Sequence, residues 1–291
     1  MQAVSAALAE ATGLRVADRP GPHVGGGSIN TCVQWPTADG LLFVKLAHAG
    51  RLDMFEAEAA GLHALAAAQA ARVPAVLGCG IVADQAFLAL EWIEFEPARS
   101  GTEARLGEAL ARLHRTTAGG FGWYRDNTIG ATPQRNDWTT GWAEFFTRHR
   151  LGFQLDLAGQ SGHGGRWLDR GRVLCERAGA LFGSYRPQPS LLHGDLWGGN
   201  WAADVSGAPV IFDPATYYGD READLAMTRL FGGFGPEFYA AYESAWPLDG
   251  GAGVRRDLYN LYHVLNHLNL FGGGYRAQAE RMIERLLAEI R

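Results

Sequence analysis

The hydrophobic pattern of this chain turns from mainly strand-like to mainly helical near residue 93, and that change limits the folds open to it. Before that point short β-branched and aromatic runs dominate. Thr31 to Trp35 and Leu41 to Leu46 flank Pro36, Asp39 and Gly40, which predicts a hairpin. Met54 to Ala70 is rich in Ala, Leu and Glu, with Phe55, Ala59, Leu62 and Ala66 at helical spacing, and Pro74 stops it. Ala86 to Glu91 returns to strand. From residue 94 the pattern is mainly helical, from Glu103–Thr117 through Thr139–Arg150, Trp167–Phe182, Asp220–Leu230, Glu237–Trp246 and Val254–Leu270 to Tyr275–Ile290. Only two short apolar strands interrupt it, Ser190 to His193 and Pro209 to Phe212, each leading to an acidic residue. The expectation is an α+β chain of two lobes. Residues 1–93 form a small β-rich lobe with one key helix, and residues 94–291 a larger α-rich lobe.

A length of 291 residues leaves room for both lobes to bury a core. Cys32, Cys79 and Cys175 are odd in number and lack CxxC or Cys/His spacing, which argues against a disulfide framework or a structural zinc site and for a reducing cytoplasm. The N-terminal stretch lacks a basic start, and no run approaches the roughly 18 uncharged apolar residues that span a bilayer, so no membrane association is expected. The net charge of -5 provides no field for nucleic acid. A small phosphate-bearing ligand fits better, because one lysine, a metal ion and backbone N–H groups hold it locally.

The chemistry lies in the spacing of three residues. Asp195 stands in His193-Gly194-Asp195-Leu196-Trp197-Gly198-Gly199-Asn200; Asn200 follows it by five residues and Asp213, in Ile211-Phe212-Asp213-Pro214, by eighteen. That is the spacing of a kinase catalytic loop, in which an Asp accepts the proton of the substrate hydroxyl and the Asn and second Asp hold metal. Phosphoryl transfer concentrates negative charge, and hard oxygen ligands suit the Mg²⁺ that neutralises it. His-Gly-Asp stands where protein kinases have His-Arg-Asp, and Asp-Pro-Ala where they have Asp-Phe-Gly, which points to small-molecule phosphotransferases. Alone, Asp195 reads first as a turn or cap aspartate; the three positions together favour catalysis.

Lys45 alternates with Leu41 and Phe43 on a strand, so it is expected to point inward toward nucleotide phosphate rather than into solvent. Glu56 and Glu58 compete as its partner. With Phe55 at zero and about 100° per residue, Leu62 lies near 340°, Glu58 near 300° and Glu56 near 100°, so Glu58 shares the apolar face, where an unpaired carboxylate is costly. The turn Gly25-Gly26-Gly27-Ser28-Ile29-Asn30 departs from Gly-x-Gly-x-x-Gly, but ahead of the lysine strand it suits backbone contacts to phosphates. Glu91, Trp92 and Ile93 open the lobe connection and offer backbone groups to an adenine edge.

These residues resemble the fructosamine kinase, or ketosamine-3-kinase, family within the kinase-like aminoglycoside and choline phosphotransferases. The narrowing motifs are the His193 to Asn200 loop, Phe121-Gly122-Trp123, Asp126 to Gly130, Thr132-Pro133-Gln134, Asn136, Trp138, Trp142, Phe145-Phe146, and Gly219 to Ala226. The resemblance implies a protein-kinase-like fold and ATP-dependent phosphorylation of the 3-hydroxyl of a ketosamine, on a small molecule or a glycated protein, leading to deglycation. Asp195 would be the base, Asn200 and Asp213 the Mg²⁺ ligands, Lys45 the phosphate contact, Glu58 its anchor, and residues 91–93 the adenine contact. Ser28 stands where some members carry cysteine, which leaves thiol control of that loop in doubt. A monomer is expected. The alternatives are a kinase for another amino alcohol or aminoglycoside, and a nucleotide-binding pseudokinase, which would have no need of both metal ligands and the base.

Seven of the nine tryptophans lie between Trp92 and Trp201, a candidate substrate wall. Trp138, Trp142 and Trp201 are expected in the core, and Trp197, two residues past Asp195, at the substrate. His193 and Asp224 are further candidate substrate contacts, although His193 suits orienting the loop and Asp224 supporting it. His114 reads as structural, and Asp220 and Glu222 as caps or first-turn acids.

Overall fold

The computed structural model describes residues 1–25 and 30–290. Its elements run α1 (Gln2–Thr12), β1 (Thr31–Thr37), β2 (Gly40–His48), α2 (Leu52–Ala67), β3 (Val76–Val82), β4 (Gln85–Glu91), β5 (Phe95–Glu96) and α3 (Thr102–His114). The chain continues through β6 (Asn127–Ile129), β7 (Thr132–Gln134), α4 (Trp142–Phe146), α5 (Phe153–Gln160), α6 (Arg166–Arg177), β8 (Ser190–Leu192), β9 (Trp201–Asp204), β10 (Pro209–Ile211) and β11 (Tyr217–Gly219). It closes with α7 (Glu222–Leu230), α8 (Pro236–Ala245), α9 (Ala252–Phe271) and α10 (Arg276–Glu289).

The first lobe is an antiparallel sheet of order β1-β2-β4-β3. Strand alternation sends Val33, Trp35, Leu42 and Val44 to one face, where Leu8 of α1 covers them. Leu88 and Leu90 face the other way, onto Phe55 and Leu62 of α2. Lys45 shares parity with Phe43 and so falls on the α2 face. Two elements of this lobe were not foreseen from sequence: α1, and β3, whose Gly78 and Gly80 break up the apolar run that marks a strand.

The second lobe is built around one large core that takes in Leu106, Leu110 and Leu113 of α3 and Leu258, Leu261 and Leu265 of α9. The helix expected over Thr139 to Arg150 starts at Trp142 and widens into a π turn, Thr147–Gly152, before α5. No helix among the described residues is long and apolar enough to cross a membrane.

The lobes are tied together beyond the connecting strand. β5 pairs with β9 in the sheet β10-β9-β5. Arg72, just past α2, donates to Glu91 at 2.8 Å and also to Asp204, while its carbonyl accepts from Ile211 N at 3.0 Å. Gly61 of α2 packs against the loop after β10, where an added Cβ would lie 3.0 Å from Thr216 Oγ1 and 3.3 Å from Pro214.

Candidate functional site

A cavity of about 1010 Å³ opens between the lobes. Lys45, 6% exposed, enters it from β2. Its Nζ lies 2.7 Å from Glu58 Oε1 and 2.6 Å from Asp213 Oδ1, so one ammonium joins the sheet, α2 and the loop after β10. Burial opposes the charge on Lys45, but the two carboxylates outweigh it and hold the ammonium well above its ordinary pKa. Glu56 points instead toward Arg125, at 3.6 Å.

Asp195 stands three residues beyond β8 on a loop carried by Asp224. The carboxylate of Asp224, in the first turn of α7, accepts from His193 N and Gly194 N at 2.8 Å each, and from His114 Nε2 at 3.1 Å. Burial would raise the Asp224 pKa; the His114 bond and the neighbouring charges and donors overcome it and hold the group below its usual value. His193 accepts from Asp195 N at 3.3 Å and donates Nε2–H to Phe212 O at 2.9 Å, tying the loop to the segment that precedes Asp213. Burial keeps His193 and His114 neutral by pushing their pKa values down. Gly194 has φ +85°, and an added Cβ would stand 2.1 Å from Ala215 O. That contact explains the His-Gly-Asp motif: no side chain fits between the two loops.

Asn200 Nδ2 donates to Asp195 O at 2.8 Å and to Asp195 Oδ2 at 3.2 Å. Burial, reinforced by the charge of Asp213, pushes the Asp195 carboxyl up to about 7, against the pull of the Asn200 bond. Asp213 adopts φ 56°, a left-handed conformation uncommon outside glycine, asparagine and aspartate and often found where backbone strain serves a site. Its side chain is 47% exposed. Asp213 Oδ2 and Asn200 Oδ1 accept no hydrogen bond from the described residues, and both residues line the cavity. One carboxylate oxygen and one amide oxygen, uncommitted and on residues of the same cavity, suit a hard divalent cation that keeps its other positions for water or phosphate.

The remaining expectations fall on different sides of the cavity wall. Trp92, Ile93, Gly25 and Trp197 line it; Glu91 does too, though its carboxylate is held by Arg72 and by Ala75 N. Gly26, Gly27 and Ser28 lie outside the described residues. His193 and Asp224 do not reach the cavity: at 0% and 1% exposure they support the loop, which corrects their reading as substrate contacts. The tryptophan wall shrinks to Trp92 and Trp197. Trp142 is buried as expected, but Trp138 is 50% exposed and stacks on Tyr218, and Trp201 is only half-buried against Phe234. Asp220 accepts from Tyr185 OH at 2.9 Å, Tyr259 OH at 2.5 Å and Glu222 N at 3.0 Å, while Glu222 pairs with buried Arg255 at 2.7 and 2.8 Å.

Sequence reasoning placed the Phe121 to Phe146 block as a signature without seeing its work. Asn127 Nδ2 donates to Thr216 O and Gln134 Nε2 to Ala215 O and Asn127 Oδ1, so the β6–β7 hairpin is clamped to the loop after Asp213. Fully buried Arg150 closes this network, donating to Asn136 Oδ1 and Arg135 O while its guanidinium lies 4.0 Å from the Tyr217 ring centre. Also unforeseen are His263, Asn266 and His267 on α9, which line the far half of the cavity. The available signal was polar residues at i, i+3 and i+4 inside an otherwise apolar helix.

Burial, with a small push from His267, takes the His263 pKa down from 6.5 to about 3, against the attraction of Asp224. The unfolded chain therefore binds this proton more readily, and the stability present above pH 6.5 is lost as the pH falls toward 3. The melting temperature is expected to drop across that window, and His263→Gln to flatten the drop; identical pH profiles by scanning calorimetry would reject this assignment.

Comparison with known proteins places the chain firmly. A family model described as fructosamine kinase matches residues 1–289. A probable ketoamine kinase of Synechocystis is 48% identical over 98% of this chain and 96% of its own length. The chloroplastic protein-ribulosamine 3-kinase of Oryza sativa subsp. indica is 45% identical over 91% of this chain and 78% of its own. Among solved structures, a Thermobifida fusca protein assigned as a fructosamine-3-kinase superposes with a TM-score of 0.88 at 31% identity, covering 99% of both chains. A choline kinase from Streptococcus pneumoniae shares the fold, with a TM-score of 0.65 at 14% identity over 98% of both chains.

Proposed function

Since this chain belongs to the fructosamine kinase family of phosphotransferases, we propose that it transfers the γ-phosphoryl group of ATP to the 3-hydroxyl of ketosamines. The 3-phosphate then destabilises the adduct and the amine is released. The observation that carries this reading is the position of Asp195. It lines one cavity together with Lys45, Asn200 and Asp213 and with Trp197 and polar residues of α9.

Each residue then has one task. Lys45, braced by Glu58, binds nucleotide phosphate, and the backbone at Glu91, Trp92 and Ile93 faces the adenine edge. Asn200 and Asp213 hold Mg²⁺, which when bound neutralises charge on the phosphoryl group in flight. Asp195 accepts the proton of the attacking hydroxyl. Asn200 keeps the Asp195 carboxylate aimed, and the loop bonds to Asp224 hold both in place.

A kinase for polycationic amino sugars shares the fold, but the far half of this cavity presents no acidic side chain other than Asp195 among the described residues. A small-molecule ketosamine or a glycated protein fits it better. The test is an ADP-release assay over fructosamines, ribulosamines, erythrulosamines, aminoglycosides and choline. Ketosamine-dependent release is expected; release with aminoglycoside or choline alone would overturn the reading.

A further inference from the structure

The charges that line the cavity lie on one side of it. They are Lys45, Glu58, Glu91, Asp195 and Asp213; Lys45 is held between Glu58 and Asp213, and Glu91 is held by Arg72. Beyond Asp195 the lining has no lysine or arginine among the described residues, and residues 26–29 are uncharged by sequence. What stands there is a ring of aromatic groups. Phe231 lies 6.5 Å from Trp197 and 4.7 Å from His267 between ring centres, and His267 lies 5.4 Å from Phe271 and 5.2 Å from Tyr275. Trp197, Phe231 and Phe271 are 40%, 41% and 61% exposed, so the ring is open to a ligand.

The chemistry of this ring is one-sided. Aromatic faces carry negative quadrupole density that attracts cations and repels anions. His267 adds to it, because its Nδ1–H donates to His263 O at 2.8 Å, which leaves Nε2 of the neutral ring as an acceptor. Burial keeps that ring neutral by lowering its pKa. Two carbons separate the amine nitrogen of a ketosamine from the carbon that bears the reacting hydroxyl, so a substrate with that hydroxyl at Asp195 has its amine and the substituents on it within reach of the ring that starts at Trp197. The protonated amine meets aromatic faces and an acceptor. A carboxylate next to that amine would meet the same groups with no cation to pair it, and the Asp195 charge behind.

We propose that the aromatic half of the cavity selects ketosamines by the charge of the amine's substituent, favouring adducts that carry no carboxylate there over adducts of free α-amino acids. The inference rests on the ketosamine kinase reading above. It extends that reading to the amine side of the substrate, where amides, peptides and simple alkylamines share the preferred chemistry.

The test compares two fructose adducts that differ in one group, that of glycinamide and that of glycine, with the full chain and saturating MgATP. The amide adduct is expected to show a kcat/KM roughly tenfold or more higher, the usual cost of leaving a partly buried charge unpaired. Phe271→Lys, at an exposed position of the ring, is expected to shrink that ratio severalfold by supplying the missing cation. An unchanged melting temperature by scanning calorimetry reports that the variant is folded. Equal kcat/KM for the two adducts on the wild-type chain overturns the inference and leaves the kinase reading standing. A ratio unmoved by the added lysine also overturns it, since charge would not then be the cause. Absence of ADP release with both adducts overturns the kinase reading and this inference with it.

Discussion

Asp195→Asn is expected to lower kcat by roughly 10²–10⁴-fold, the range that a positioned general base contributes. The substitution keeps the shape of the side chain and removes the group proposed to take the hydroxyl proton. Lys45, Glu58 and Asp213 are untouched, so MgATP affinity by calorimetry and the KM for ATP are expected to stay near their wild-type values. This split between kcat and KM distinguishes lost chemistry from lost binding. A variant that turned over at the wild-type rate would show that another group accepts the proton.

Gly194→Ala is expected to be almost as damaging by a different route. The residue before the base has φ +85°, a region that costs an L-residue with a Cβ about 1–2 kcal/mol in backbone energy alone. The new Cβ would also stand 2.1 Å from Ala215 O, inside any tolerable contact, and that neighbour is backbone. Either the His193 and Gly194 bonds to Asp224 break, or the loop after Asp213 moves away from the base. A fall in melting temperature of several degrees together with loss of turnover is expected. Wild-type stability with wild-type activity in this variant would mean that the two loops are not packed as described.

Much of the site was legible because its chemistry demands particular side chains at particular intervals. Asp195, Asn200 and Asp213 are set by the length of the loop and strand that join them. Glu58 was separable from Glu56 by angle alone, since a helix against a sheet has one inward face. What stayed hidden depends on long-range packing. The clamp of Asn127 and Gln134 onto residues 215 and 216 crosses more than eighty positions, and no local period marks it. Trp138 was misplaced for a related reason: a large aromatic is usually core, but Tyr218 offers it a ring to stack on while half of its surface stays in water. The strand β3 was lost to its own glycines, and the left-handed turn at Asp213 has no sequence mark beyond the proline after it.

The close seat of Gly61 on Pro214 and Thr216 bears on control of the enzyme. In protein kinases the helix that carries the lysine's glutamate partner is moved in and out to switch activity. Here that helix leans directly on the loop that follows Asp213, through the smallest residue, while Lys45 spans Glu58 and Asp213 from the other side. Swinging the helix outward would separate that contact and strip the Glu58 carboxylate from the Lys45 ammonium. The structure therefore holds the Glu58 helix, Lys45 and the loop after Asp213 together in one arrangement.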